Sequence, residues 1–156
     1  MLSKLMDQCM NLAKKAEVHQ EVPVGAILYS TETLEPVSKA FNLRESLHSS
    51  IAHAEVLALH RACKKQKRWR LNGLSMLVTL EPCVMCYGAI LQSRLDGVYW
   101  ATSDPKGGAE TAFGLHSKGG HNHSMDFRKA DLGFEESSSE LLKSFFRDRR
   151  NSPKKK

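Results

Sequence analysis

Four cysteines among 156 residues are too few for a disulfide framework, and reduced thiols suit a cytosolic setting. No apolar run reaches the length that spans a membrane, and the first residues lack the basic end, apolar stretch and cleavage site of a signal peptide. These absences lead to the expectation of a cytoplasmic protein with no membrane partner. Internal repeats are missing too, and only Lys154 to Lys156 is low in complexity. With 41% hydrophobic residues, the chain can bury one sizeable core and is short for two. Residues 1–156 therefore read as a single domain, with a basic, disordered tail from about residue 151.

Acidic residues are absent from Arg61 to Arg70, which holds Arg61, Lys64, Lys65, Lys67, Arg68 and Arg70. A second basic block, residues 143–156, carries seven Lys and Arg against Asp148 alone, so it accounts for the whole net charge of +6. Two such blocks suit a polyanion, because neutralised phosphates release counterions and tighten binding. A solvated helix end and a charged tail would leave the same pattern.

What is present is a concentrated set of metal-ligand side chains. His53-Ala54-Glu55 is followed, after room for a helix and a strand, by Pro82-Cys83-Val84-Met85-Cys86. One His and two Cys fill three corners of a tetrahedral zinc site and leave the fourth open, as in catalytic rather than structural zinc. Glu55 is then free to move protons. His-x-Glu followed by Pro-Cys-x-x-Cys is the general signature of zinc nucleobase deaminases. A lone Cys-x-x-Cys could also be a redox pair or half of a structural zinc ribbon, but neither accounts for His53 and Glu55. Cys9 and Cys63 lie in helical patterns as small core or helix-surface residues.

Hydrophobic spacing supplies the surroundings. Leu2, Leu5, Met6, Cys9, Met10, Leu12, Ala13 and Ala16 predict an amphipathic helix over residues 2–19. Strands are expected at Val24–Tyr29, Val37–Asn42, Leu74–Leu80 and Gly97–Thr102, with a short edge strand within Met125–Leu132. One helix should run from His53 to about Lys65, capped by Ser49 or Ser50, and another from Cys83 to Ser93 behind Pro82. Residues two apart do not share a helix face, so His53 and Glu55 can meet one site only near a helix tip. Residues 103–123 read as a long loop. Ser138 or Ser139 should cap a last helix to about Arg150, with Leu141, Leu142, Phe145 and Phe146 on its apolar face. The order implies a leading hairpin followed by parallel pairing, hence a mixed sheet.

Glu21-Val22-Pro23-Val24-Gly25-Ala26, Ala52-His53-Ala54-Glu55, Thr79-Leu80-Glu81-Pro82-Cys83-Val84-Met85-Cys86 and Phe145-Phe146-Arg147 with Arg149-Arg150 closely resemble the bacterial tRNA-specific adenosine deaminases. The resemblance implies a cytidine deaminase-like three-layer α/β/α sandwich and a homodimer with one Zn2+ per subunit. It also implies a tRNA anticodon stem-loop as partner and conversion of its wobble adenosine to inosine. By resemblance, Asn42 and Ala54 belong to the base pocket, with Asn42 hydrogen-bonding the flipped base. Asp104, Lys106, Asn122 and His123 match loop positions that contact anticodon nucleotides, and Phe145 and Arg149 match an RNA-facing last helix. Three departures stand out: Ser49-Ser50-Ile51 replaces the usual Asp-Pro-Thr, Ser103 replaces a larger side chain, and Gly107 replaces a common Thr.

Taken without the resemblance, Asn42 could end a strand, Asp104 could cap the turn before Pro105, and His116, His121 and His123 could be solvated loop residues. Trp69, Tyr99 and Trp100 could stack on bases, although aromatics in or beside strands usually belong to cores. The reaction expected is hydrolytic deamination, with Glu55 carrying the proton. A free-base or nucleotide deaminase acting on guanine or cytosine is the alternative on the same fold. A non-catalytic RNA-binding module would be marked by loss of Glu55, which is present.

Overall fold

The 3.6-residue period of the first segment brings Leu5, Met6, Cys9, Met10, Ala13 and Ala16 to one buried face of helix α1 (Leu2–Val18). The computed structural model describes residues 1–153, so Lys154, Lys155 and Lys156 of the basic tail lie outside the described residues. Strands β1 (Gly25–Ser30) and β2 (Pro36–Phe41) form the leading antiparallel hairpin. Helix α2 (Ala54–Gln66), strand β3 (Leu74–Leu80), helix α3 (Val84–Ser93) and strand β4 (Gly97–Thr102) follow in alternation. A one-turn helix α4 (Leu115–Lys118), strand β5 (Asp126–Lys129) and helix α5 (Glu135–Asn151) complete the order.

The five strands lie in the order β2-β1-β3-β4-β5. β1 is antiparallel to β3, whereas β3-β4 and β4-β5 are parallel, so the sheet is mixed as expected. Alternation divides its two faces. Ile27, Tyr29, Leu77 and Ala101 pack with Leu5, Met6 and Cys9 of α1. Ala26, Leu28, Met76, Val78, Val98 and Trp100 pack on the opposite side, where Ala58 and Ala62 of α2 and Tyr87 and Ile90 of α3 cover them. With α5 packed against β4 and α1, this is an α/β/α sandwich.

Close approach explains one glycine of the Glu-Val-Pro-Val-Gly-Ala segment. A Cβ at Gly25 would fall 2.2 Å from the Cys9 carbonyl oxygen, so α1 could not rest on β1 with any larger residue there.

Three boundaries differ from the sequence expectation for identifiable reasons. The cap of α2 is His53 itself, with neither Ser49 nor Ser50 bonded to the helix end. The chain turns tightly beforehand through Ala52 N–H to Ser49 O and His53 N–H to Ile51 O. Helix α5 starts at Glu135, and Ser138 lies inside it, buried, with its hydroxyl spent on the Thr79 carbonyl of β3. The 103–123 segment is not structureless: α4 forms there because Glu110 accepts bonds from the amides of His116 and Ser117 and from the Ser117 hydroxyl.

Candidate active site

The puzzle of His53 and Glu55, two apart yet aimed at one place, is resolved by the backbone. His53 has extended dihedrals (φ −71°, ψ 151°), so its imidazole leaves the end of α2 instead of its side. Cys83 does the same for α3 (φ −73°, ψ 175°). Each cap accepts the first helical bond through its carbonyl, from Leu57 N–H and Tyr87 N–H respectively. Two helix N-termini therefore point at one spot beyond the carboxyl end of β3, and their partial positive charge favours thiolate there.

His53 Nδ1 lies 3.7 Å from Cys83 Sγ and 3.5 Å from Cys86 Sγ. Sulfur and nitrogen ligands about 2.3 and 2.0 Å from one ion at a tetrahedral angle would be about 3.5 Å apart. The ligand atoms of these three residues all fall within 4.8 Å of one another, and no other such group of metal-ligand side chains occurs among the described residues. The donor set and its spacing fit zinc with one corner left for water or substrate.

Electrostatics agree with that use. The Cys83 thiol is drawn down to about 4, chiefly by a hydrogen bond from Cys86 and further by His53. Cys86 is driven the other way by its hydrogen bond to the neighbouring sulfur and by burial. His53 is raised, mainly by its hydrogen bond with Cys83. Burial pushes Glu55 up to about 7, within the range of a group that both takes and gives protons near neutrality. Cys9 is fully buried, its thiol raised by desolvation, and it stays in the α1 core as expected.

Two walls flank the triad. On one side Asn42, 5% exposed, donates from Nδ2 to Val22 O and accepts at Oδ1 from Arg44 N–H. An amide has two N–H groups and two lone pairs, so one of each remains for a ligand. The following turn is gathered by the buried Glu21, whose carboxylate accepts from the Glu45 and Ser46 amides and the Ser46 hydroxyl. Glu45 in turn pairs with Arg149 of α5 at 3.4 Å, and the Arg149 guanidinium lies over the Phe145 ring. Ala54, the first residue of α2, is fully buried.

On the other side Asp104 accepts at Oδ1 from the Lys106 and Gly107 amides, which fixes the turn around Pro105. Between this turn and α5 runs a groove of about 720 Å³ whose lining includes Lys106, Lys143, Phe146, Arg149 and Arg150. It is cationic along much of its length.

Ala54 adjoins His53, Asp104 is bonded to Glu81 two residues before Cys83, and Lys106 and Arg149 line the groove, whereas the Phe145 ring, expected to face RNA, is buried among apolar residues, and Asn122 and His123 lie elsewhere. Asn122 accepts from Arg94, and His123 Nε2 donates to Leu95 O, at the far end of α3. A ten-residue helix separates that end from the cysteines by about 15 Å. The remaining histidines are tied locally, His116 to the Tyr87 hydroxyl and His121 to Leu115 O. Trp100 is core, and Trp69 is exposed beneath Arg70. Sequence reasoning passed over Glu21 and Glu81, two buried carboxylates; each is an acidic residue set directly before or among apolar motif residues, which is the signal that could have marked them.

A His-Cys-Cys triad beside a buried carboxyl group, at the tips of two helices on a mixed sheet, defines a zinc-dependent hydrolytic deaminase. The family described as the cytidine and deoxycytidylate deaminase zinc-binding region matches residues 1–102. The chain is 42% identical over 150 residues to the tRNA-specific adenosine deaminase of Bacillus subtilis, covering 96% of this chain and 91% of that one. It is 40% identical over 141 residues to the tRNA-specific adenosine deaminase of Aquifex aeolicus, covering 90% of each. A solved structure from work on A-to-I editing by tRNA:A34 deaminases superposes with a TM-score of 0.81 at 33% identity, covering 88% of this chain and 97% of that one. The chain belongs to the tRNA-specific adenosine deaminases, within the cytidine and deoxycytidylate deaminase family. Guanine deaminase from Nitrosomonas europaea shares the fold, with a TM-score of 0.74 at 21% identity over 90% of this chain and 81% of that one.

Proposed function

We propose that the protein converts adenosine to inosine at the wobble position of a tRNA anticodon, in the cytoplasm. The observation that carries this reading is the grouping of His53, Cys83 and Cys86 with the buried Glu55, in a chain whose Asp104–Lys106 turn and α5 also line a cationic groove. His53, Cys83 and Cys86 would hold zinc, which would supply Lewis-acid activation of the attacking water. Glu55 takes a proton from that water as the water oxygen adds to C6, and delivers it to N1. The same carboxylate then takes the proton of the new C6 hydroxyl and passes it to the amine, so the C6–N6 bond breaks, ammonia leaves and a C6 carbonyl remains. Burial suits Glu55 to both transfers by raising its proton affinity.

Asn42 orients the base with its free N–H and lone pair, and Ala54 lines the pocket with little bulk. An unpaired anticodon loop can release its base at low cost. Asp104 and Lys106 face the neighbouring nucleotides, while Arg149, backed by the buried Phe145 ring, presents its guanidinium to the RNA. Asn122 and His123 stand outside the pocket of their own chain and enter this reading only from a second subunit. Homodimer formation is supported by Leu47, Ile51, Val84 and Met85, apolar and 37–57% exposed on the two segments that meet at the triad. Among the described residues no helix is long and apolar enough to cross a membrane.

Assaying the zinc-loaded protein on tRNA, on an anticodon stem-loop with adenosine at the wobble position, and on free adenine, guanine and cytosine tests the reading. Inosine in the stem-loop without turnover of free bases is expected. Turnover of a free base with none of the RNA would replace it with the free-base alternative.

A further inference from the structure

Glu81 follows β3 and stands two residues before Cys83, and it is 2% exposed. It makes no ion pair among the described residues. Every bond to its carboxylate comes instead from uncharged donors of one segment, residues 104–111. Oε2 accepts from the Asp104 amide at 3.0 Å, and Oε1 accepts from the Thr111 amide at 3.0 Å and the Thr111 hydroxyl at 2.7 Å. A Cβ built on Gly108 would lie 1.7 Å from Oε2 and 2.6 Å from Asp104 O, so the chain passes directly over the carboxylate. The same strip is laid against the metal turn by a bridge between Cys83 and Gly108 and by the Ala109 amide, which donates to Pro82 O.

We propose that Glu81 is a positioning residue for substrate: its carboxylate is the post around which residues 104–111 wrap, holding the Asp104–Lys106 turn at the height where it meets RNA. The role rests on the function proposed above, in which that turn contacts nucleotides beside the target base. Glu81 acts through the turn and not on the reacting atoms. A carboxylate suits the task because it only accepts hydrogen bonds, and all three facing groups donate. Glutamine could keep Oε1 for Thr111, but its amide N–H would then oppose the Asp104 N–H. Glu81→Gln therefore releases one end of the wrap, while Thr111→Val loosens the other by removing a hydroxyl and keeping the amide.

Steady-state kinetics on the wobble-adenosine stem-loop, zinc content and amide hydrogen exchange of the holoenzyme test the proposal. Glu81→Gln is expected to keep its zinc, to raise KM about tenfold with kcat within about threefold, and to speed exchange at Asp104 while Thr111 stays protected. Thr111→Val should raise KM in the same sense by a smaller factor, and the double variant should fall short of the product of the two effects. Zinc loss, or a fall in kcat at unchanged KM, would overturn the proposal in favour of a role at the metal turn. Unchanged KM together with unchanged exchange at Asp104 would overturn it as well. If Glu81→Gln does not fold, an unchanged KM in Thr111→Val overturns it. Exchange at Asp104 reads the wrap without turnover, so failure of the wild type on RNA would strike the functional reading and leave the tether separately decided.

Discussion

Ser138 donates its hydroxyl to the carbonyl oxygen of Thr79 at 2.6 Å, joining the interior of α5 to β3. Thr79 in turn accepts, through Oγ1, from the Gly25 amide, so one buried chain of hydrogen bonds links α5, β3 and β1. Phe145 is seven residues on and shares the buried face of Ser138, so this bond sets the rotation at which α5 seats Phe145 in the core and turns Phe146 and Arg149 to the groove. Ser138→Ala leaves a buried acceptor short of a partner. A loss of about 1–3 kcal/mol in urea unfolding is expected, with zinc content unchanged. Wild-type stability in that variant would show that the bond does not lock the helix.

Removing the proton carrier separates metal binding from chemistry. Glu55→Gln is expected to retain zinc and fold, because it replaces a buried, easily neutralised acid by a neutral amide of similar shape. Inosine formation should fall by about 10²- to 10⁴-fold, the usual worth of a general acid–base. Cys83→Ser, by contrast, should lower zinc content measured by atomic absorption. Chelation of the wild type should abolish turnover and added zinc restore it.

Charge on α5 makes a prediction in salt. Arg149 is half exposed and pairs with Glu45 across solvent, so Arg149→Ala should change stability by no more than about 1 kcal/mol. Its effect should appear in RNA binding, as weaker affinity and a shallower dependence on salt, by about one unit of the log–log slope. An unaltered slope, measured by titrating stem-loop binding at several ionic strengths, would remove Arg149 from the phosphate contacts.

Legibility in the sequence followed the range of the interactions. Leu74–Leu80 and Gly97–Thr102 were readable as strands because each is a short apolar run bounded by turn residues, and the triad was readable because metal chemistry restricts residue type and spacing. Ser138 was misread because a serine before an apolar face signals a cap locally, whereas its partner is 59 residues away. The start of α5 is marked instead by Glu135 and Glu136 in its first turn, where the helix dipole favours acids. Asn122 and His123 carried no signal of their own for which end of α3 they would adjoin. Glu81 and Glu21 went unassigned because the loops they gather lie about 25 residues away in sequence.

β4 ends at Thr102, and the metal-ligand group His53, Cys83 and Cys86 precedes that point with Glu55, while the Asp104 turn and α5 follow it. Chain recombination near residues 102 and 103 would therefore exchange the groove between the Asp104 turn and α5 without replacing His53, Glu55, Cys83 or Cys86. Such a breakpoint has one steric condition. The incoming segment must bring a backbone donor where Asp104 stands and a residue without a side chain where Gly108 crosses Glu81. Compatibility between two halves of related chains thus turns on that carboxylate and the bare backbone that covers it, together with a partner for the Thr79 carbonyl and a strand to pair with β4.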